Sequence, residues 1–183
     1  MRKSWYARWI KGEAEPVVPV VVDWGSADAV AEAGDAAVQF AHAQRCQSDD
    51  SGSGRKEAAF AWYRRAAERG HGGARVALAM MYRRGEGVER DEGEALRWLR
   101  VAAGAGEPDA QYELGLTYYR ASLWGRKLDD LDTKLEAYRW LRLAALQGVE
   151  GTEGAWEQAC LRMTHDEIAA GNRAVESFSP AAG

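Results

Sequence analysis

Cysteine is scarce: the 183 residues hold only Cys46 and Cys160. A small secreted scaffold would carry more, in a paired framework, so the chain reads as one kept in a reducing compartment. Long apolar runs are missing too. The longest, Pro16 to Val22, falls far short of the ~20 residues a helix needs to cross a bilayer, and no membrane span is expected. The opening residues set Arg2, Lys3, Arg8 and Lys11 among Trp5, Tyr6 and Trp9, with Glu13 and Glu15 behind them. They lack the apolar core of a secretory signal, and a cytoplasmic location is the expectation. Nor is there a surplus of one charge: 24 basic against 28 acidic side chains leave a formal net charge of −4. That is too little to draw the whole surface to nucleic acid or an anionic membrane. Catalytic signatures are absent as well. No phosphate-binding loop, HExxH zinc-protease helix, dinucleotide glycine fingerprint or nucleophile elbow occurs, and the segment GAGEPD at 104–109 lacks the third glycine such a fingerprint needs. No enzymatic role, cofactor or metal is expected.

What is present is regular. Hydrophobic content of 46% and charged content of 28% are ordinary for a soluble globular protein. The chain repeats itself at a period of 36 residues: Trp62 and Trp98, Ala66 and Ala102, Gly70 and Gly106, Ala74 and Ala110, Leu78 and Leu114, Tyr82 and Tyr118. A third copy returns 42 residues later, with Trp140, Ala144, Ala145 and Gly148, its six additional residues falling between Ala121 and Thr133. A period of this size means stacked supersecondary units. Inside a unit, Ala74, Leu78 and Tyr82 fall on one stripe of a helix, and Ala95, Trp98, Leu99, Ala102 and Ala103 on one stripe of a second, so each unit is a helical hairpin. Ala79, Ala102, Ala103 and Gly115 are short residues where helix axes can approach closely. Gly70, Gly106 and Gly148 stand where a left-handed C-cap is needed. Thr133 with Glu136 and Thr164 with Glu167 have capping-box spacing, and Asp91 with Glu94 is a close variant.

The run from Leu78 through Tyr119, with its Leu-Ala, Tyr, Gly-x-Gly-Val, Asp, Ala, Trp, Ala-Ala and Gly positions, resembles the Sel-one-like repeat of the tetratricopeptide-like superfamily. The likeness covers residues 26–178. It implies an all-α, right-handed α-solenoid of antiparallel helical hairpins, with residues 1–25 as an N-terminal extension, a closing helix over 164–178 and a tail at 179–183. Ala155, Ala159 and Met163 are expected at first-helix positions of a last half-unit, and Ile168, Ala169 and Val175 on the closing helix are expected to cover the last hairpin. The first copy departs from the pattern, with His42 and Cys46 at the Leu and Tyr positions and a Ser/Asp/Gly loop from Gln47 to Gly54. Four residues apart on one helical face, His42 and Cys46 have the spacing of a thiolate–imidazole pair or of two metal ligands. Their alignment with Leu78 and Tyr82 makes them core instead, since free cysteine behaves as a small buried hydrophobe.

The same resemblance implies a protein-interaction adaptor of the kind found in bacterial complexes and signalling, with a peptide or protein partner lying in a concave groove lined by the first helices. Carried over residue by residue, that row is Phe40, Gln44 and Gln47 in the first unit, Val76, Met80 and Arg83 in the second, and Tyr112, Leu116 and Tyr119 in the third, with Arg84 and Arg120 along one side. Glu157 and Leu161 would follow in the half-unit. A largely apolar exposed row should be occupied; the opposing reading has these residues packed against neighbouring first helices. Trp5, Trp9 and Trp24 stand outside the repeat positions, and PVVPVVVDW at 16–24 favours an extended chain. This segment is a candidate to fill the groove or cap the first helix. A partner-binding helix and a membrane-surface helix are the other readings. Trp124, in the inserted loop, is expected to cover its hairpin, or, beside Arg126, Lys127 and Asp129, to act as a contact. The alternatives to an adaptor are a small hydrolytic enzyme like the cysteine-rich relatives, whose cysteine pairs are missing here, and a nucleic-acid binder using Arg64, Arg65, Arg69, Arg83 and Arg84. No nucleic acid is expected.

Overall fold

The structure, a computed structural model, describes residues 31, 34–48, 54–128 and 132–181. Trp5, Trp9 and Trp24, and with them the readings of the N-terminal extension, lie outside the described residues, as does most of the Ser/Asp/Gly loop. The described chain forms eight helices: α1 (Ala36–Ser48), α2 (Gly54–Glu68), α3 (Gly72–Arg84), α4 (Glu92–Gly104), α5 (Pro108–Leu123), α6 (Thr133–Leu146), α7 (Thr152–Cys160) and α8 (His165–Glu176). Each of the first six packs on the next, α3 touches α5, α5 touches α7, and α8 turns back onto α6. The hairpins α1–α2, α3–α4 and α5–α6 are the three copies read from the sequence, stacked as a helical-repeat solenoid.

The joint between one hairpin and the next is built the same way each time. Gly70, Gly106 and Gly148 adopt φ of 93°, 95° and 78°, left-handed values that cost a residue with a Cβ about 1–2 kcal/mol. Each glycine N–H donates to the second alanine of the Ala-Ala pair before it, at 3.1, 3.0 and 3.0 Å, and the following N–H donates to the first, at 3.0, 3.1 and 3.3 Å. This is the Schellman arrangement. The alanines therefore serve twice. Their carbonyls close the helix end, while the side chains of Ala66, Ala67, Ala102, Ala103 and Ala144 are almost wholly buried against the neighbouring helix.

The core divides between two clusters. One joins α1, α2 and α3 around Trp62, Tyr63, Leu78 and Met81. The other joins α4, α5 and α6 around Leu99, Leu114, Tyr118 and Trp140, with Val175 and Phe178 from the closing segment packed on it. Trp98 packs against both. The small residues do permit close approach: a Cβ on Gly115 would stand 2.9 Å from the backbone nitrogen of Leu141. After α8 the chain runs back across α4, where the Ala181 N–H donates to the Gly104 carbonyl at 2.8 Å.

Three local details differ from the sequence reading or complete it. Helix α6 is capped by Asp132, whose carboxylate accepts from the N–H of Lys134 and Leu135 at 2.9 and 3.3 Å; Thr133 is already helical and buried, and Glu136 accepts from the indole of Trp140 instead. A carboxylate one residue earlier outcompetes a hydroxyl at the positive end of a helix. Helix α7 stops at Cys160, so Ala159 is buried and Ala155 half-buried, whereas Met163 falls in the turn before α8. It does so because the next helix starts at Thr164, where the expected capping box is complete: Thr164 Oγ1 accepts from the Glu167 N–H at 3.3 Å, and Glu167 accepts from the Thr164 N–H at 2.6 Å. At α4, Asp91 accepts from the N–H groups of Gly93 and Glu94 at 2.8 and 3.0 Å, but the Glu94 carboxylate turns to Arg97 rather than back to the cap.

Two outcomes follow for stability. Gly87, at φ 68°, is seated on the start of α2, and a Cβ there would collide with the Lys56 carbonyl, while Gly104 in α4 has open space at the same position. Gly87→Ala is expected to lower stability by about 2 kcal/mol and Gly104→Ala to be neutral or stabilising by up to about 1 kcal/mol, as read by urea midpoints. The hydrogen bond from the Thr164 N–H, with Lys134 adding to it, holds the Glu167 carboxyl below its ordinary pKa. A depressed carboxylate contributes stability above its unfolded pKa and loses it as pH falls through the folded value. The difference in melting temperature between the native chain and Glu167→Ala should therefore narrow on acidification below the usual glutamate range, and a gap that held constant with pH would contradict this account.

Candidate functional site: the outer row of the first helices

The residues carried over from the repeat pattern lie on α1, α3 and α5, one row per hairpin. Their positions alternate with the buried stripe Ala74–Leu78 and Ala110–Leu114, so the row takes what the core leaves over. Val76, Met80, Tyr112, Leu116 and Tyr119 are half-buried, and Gln44, Arg84 and Arg120 are exposed. The row is not uniformly open. Phe40 stacks on His71 with ring centroids 4.3 Å apart and leans on Tyr63 at 5.7 Å. Val76 and Tyr119 pack against the second core cluster. Gln47 is exposed but tied to the next helix, its side-chain oxygen accepting from the Tyr63 hydroxyl at 2.7 Å; Glu157 and Leu161 are exposed as well. Met80, Tyr112 and Leu116 remain as apolar side chains neither lodged in a cluster nor fully in water.

Beside them, one ion pair ties neighbouring first helices together. Arg83 on α3 donates to Glu113 on α5 at 2.9 Å, both side chains about a quarter exposed or less, and reaches Thr117 at 3.4 Å. This fixes the register of α3 on α5 at the centre of the row. Arginine suits that position because its guanidinium presents several donors in a rigid fork.

One polar position recurs at the repeat spacing. Gln39, Arg75 and Gln111 follow the same 36-residue spacing on the buried side of the first helices. Arg75 donates to the Ala67 carbonyl and Gln111 to the Ala103 carbonyl, both at 3.3 Å, and Gln147 donates to Gln111 at 2.7 Å. These side chains add a second hydrogen bond to the cap carbonyls at the end of the preceding hairpin and so belong to the stacking, not to a site.

His42 and Cys46 are both buried, with Sγ 3.7 Å from Nε2, and His42 meets Trp62 edge to face at 5.0 Å. They occupy the core positions their alignment gives. Next to them burial, with Cys46 adding to it, pushes the Tyr63 hydroxyl up to about 12. Burial also raises the Cys160 thiol above its usual value, which disfavours the thiolate a nucleophile requires. Of the arginines considered for nucleic acid, Arg64 pairs with Glu68 at 2.9 Å, Arg65 lies over Trp62 at 4.7 Å, Arg69 donates to the Gly34 carbonyl at 2.7 Å and Arg83 is held by Glu113. Arg84 alone of that set is left outward without such a contact among the described residues.

Trp124 does not cover its hairpin. It is 81% exposed as the C-cap of α5, because the chain turns at once: Gly125 takes φ 61°, and the N–H groups of Gly125 and Arg126 bond back to Ser122 and Ala121 at 3.3 and 3.0 Å. The indole is left above the turn.

Stacked two-helix units, joined by glycine caps and lined by a leftover row, define a repeat scaffold of the tetratricopeptide-like kind. The chain belongs to the Sel1 repeat family, whose model matches residues 36–71, 73–107 and 108–149, one match per hairpin. It is 35% identical over 134 residues to Protein SHC1 of Saccharomyces cerevisiae, a match spanning 70% of this chain and 26% of that protein. It is 33% identical over 99 residues to the yeast chitin synthase regulator SKT5, spanning 53% of this chain and 14% of that one. A third relative, the exopolysaccharide production negative regulator of Rhizobium leguminosarum bv. viciae, is 45% identical over 60 residues, 32% of this chain and 22% of its own length. The chain thus corresponds to about a quarter or less of these relatives. Among solved structures, the Sel1 repeat protein of Oxalobacter formigenes superposes with a TM-score of 0.59 at 32% identity, over 74% of this chain and 98% of that one. The c5321 antigen of uropathogenic Escherichia coli, described as having an SLR fold, superposes with a TM-score of 0.72 at 24% identity, over 83% and 31%.

Removing the ion pair tests the register it sets. In a double-mutant cycle with Arg83→Ala and Glu113→Ala, a coupling of about 0.5–1 kcal/mol is expected for a partly exposed pair of this kind; additive losses in chemical denaturation would mean that α3 and α5 hold their register without it.

Proposed function

We propose that the chain is a non-catalytic adaptor that holds a protein or peptide partner along the first helices α3 and α5. The observation that carries this reading is that Met80, Tyr112 and Leu116 stay half-buried on a row flanked by complete cores. Apolar side chains left in that state on one face gain from a partner that finishes their burial. The Arg83–Glu113 pair between them offers polar groups that fix orientation, as the polar members of a contact surface do. Two of the relatives are named as regulators, one of chitin synthase and one of exopolysaccharide production, and a regulatory adaptor fits the same scaffold. No helix among the described residues is long and apolar enough to cross a membrane.

Met80→Glu with Tyr112→Glu places charge on the row at half-buried positions. Affinity capture with the native chain and the double variant, read by quantitative mass spectrometry, should return proteins retained by the former and depleted by about tenfold or more with the latter, with helical circular dichroism unchanged. Identical protein lists from the two baits would remove the row from the binding surface.

A further inference from the structure

A cleft of about 480 Å³ opens where the last turns of α3 and α5 meet the start of α4 and the inserted loop. Such a volume falls in the range of sites that take a small ligand or a few side chains of a peptide. Four arginines line it, Arg83, Arg90, Arg120 and Arg126, together with Trp124 and Leu96. Their charges are not equally available. Arg83 is held by Glu113 at 2.9 Å and Arg90 by Glu92 at 2.6 Å. The exposed side chains of Arg120 and Arg126 make no ion pair or hydrogen bond among the described residues. Two uncommitted guanidinium groups thus flank one rim of the cleft, next to an indole that is 81% exposed. Leu96 and Leu128, both half-buried, supply its apolar wall.

The geometry points to this cleft as the docking site of an acidic peptide segment that carries one large apolar side chain. Aspartate or glutamate carboxylates would meet Arg120 and Arg126, where a planar fork can donate two hydrogen bonds at once, and the apolar side chain would lie against Trp124, Leu96 and Leu128. An exposed tryptophan beside arginine is the composition that dominates protein contacts energetically. Charge complementarity selects the occupant. Nucleic acid draws on a long string of cations, whereas this chain has a net charge of −4 and its other arginine edge is engaged at Arg64, Arg65 and Arg69. The chain's own residues 1–24 match poorly, since Arg2, Lys3, Arg8 and Lys11 outnumber Glu13, Glu15 and Asp23. The inference rests on the adaptor reading and sharpens it, adding the partner's charge and a second place of contact at the end of the row.

The test is selection of a displayed random dodecapeptide library on the full chain, followed by fluorescence anisotropy of the enriched peptides. They are measured on the native protein, R120E/R126E, W124A and M80E/Y112E. Enriched sequences should place Asp or Glu around Leu, Ile, Phe or Tyr. Binding should weaken about tenfold or more on R120E/R126E and several-fold on W124A, at unchanged melting temperature because the three side chains are exposed. Peptides without acidic bias, or equal binding to R120E/R126E, overturn the cleft; if the same peptides are lost on M80E/Y112E, the adaptor reading survives without it. Loss confined to R120E/R126E and W124A keeps the cleft and removes the row. Failure to enrich any peptide counts against both. Two further results would defeat an acidic peptide as occupant. One is a Trp124 indole N–H resonance, identified with W124F, that moves when residues 1–24 are deleted in the absence of peptide. The other is a single-stranded dodecanucleotide that binds the native chain and not R120E/R126E.

Discussion

Everything in this molecule depends on how one hairpin hands the chain to the next. At Gly70, Gly106 and Gly148 the backbone turns through a left-handed residue, and two N–H groups close onto the Ala-Ala carbonyls behind it. The turn is short, so the first helix of the next unit must start against the end of the last. Only residues without bulk can sit at that junction, and of the alanines that supply the carbonyls all but Ala145 have almost no exposed surface. Hydrogen-bond geometry and packing thus impose the same residue at the same place, and repetition of the motif follows from that double demand.

The second constraint is polar. A carbonyl oxygen has two lone pairs, and here the following helix supplies a second donor to the cap carbonyls from its own face. Arg75 and Gln111 reach back to Ala67 and Ala103, and Gln147 joins the chain through Gln111. At the first unit the corresponding Gln39 is buried with its side-chain oxygen unmatched.

The sequence carries the helical hairpins, the glycine caps and the Thr164–Glu167 box plainly, because each depends on contacts within a few residues or on a period visible along the chain. It is less informative where a choice is settled by geometry across the stack. Asp132 and Thr133 are both good caps, and which one is used depends on where α6 meets α5. Helix α7 looks continuous to Met163 until the cap at Thr164 ends it. Most of all, the row from Phe40 to Tyr119 can be placed on one face by spacing alone, but not its depth: Phe40, Val76 and Tyr119 have gone into packing while Met80, Tyr112 and Leu116 have not. Exposure is a property of neighbours, and the neighbours here are 36 residues away.

The inserted loop shows how such a scaffold acquires something particular to itself. In the second unit the turn after α3 is short, and Gly87 seats it against the backbone at Lys56. In the third unit the six extra residues let the chain swing out after Leu123, carrying Trp124, Arg126 and Leu128 over the ends of α3 and α5. The arginines they meet stand on α3 (Arg83), in the turn before α4 (Arg90) and on α5 (Arg120). The cleft therefore forms where the longer loop meets the ends of α3 and α5 and the start of α4. Repeat architectures tolerate this because each unit contacts only its neighbours, and insertions fall on one face of the stack, where a partner can reach them.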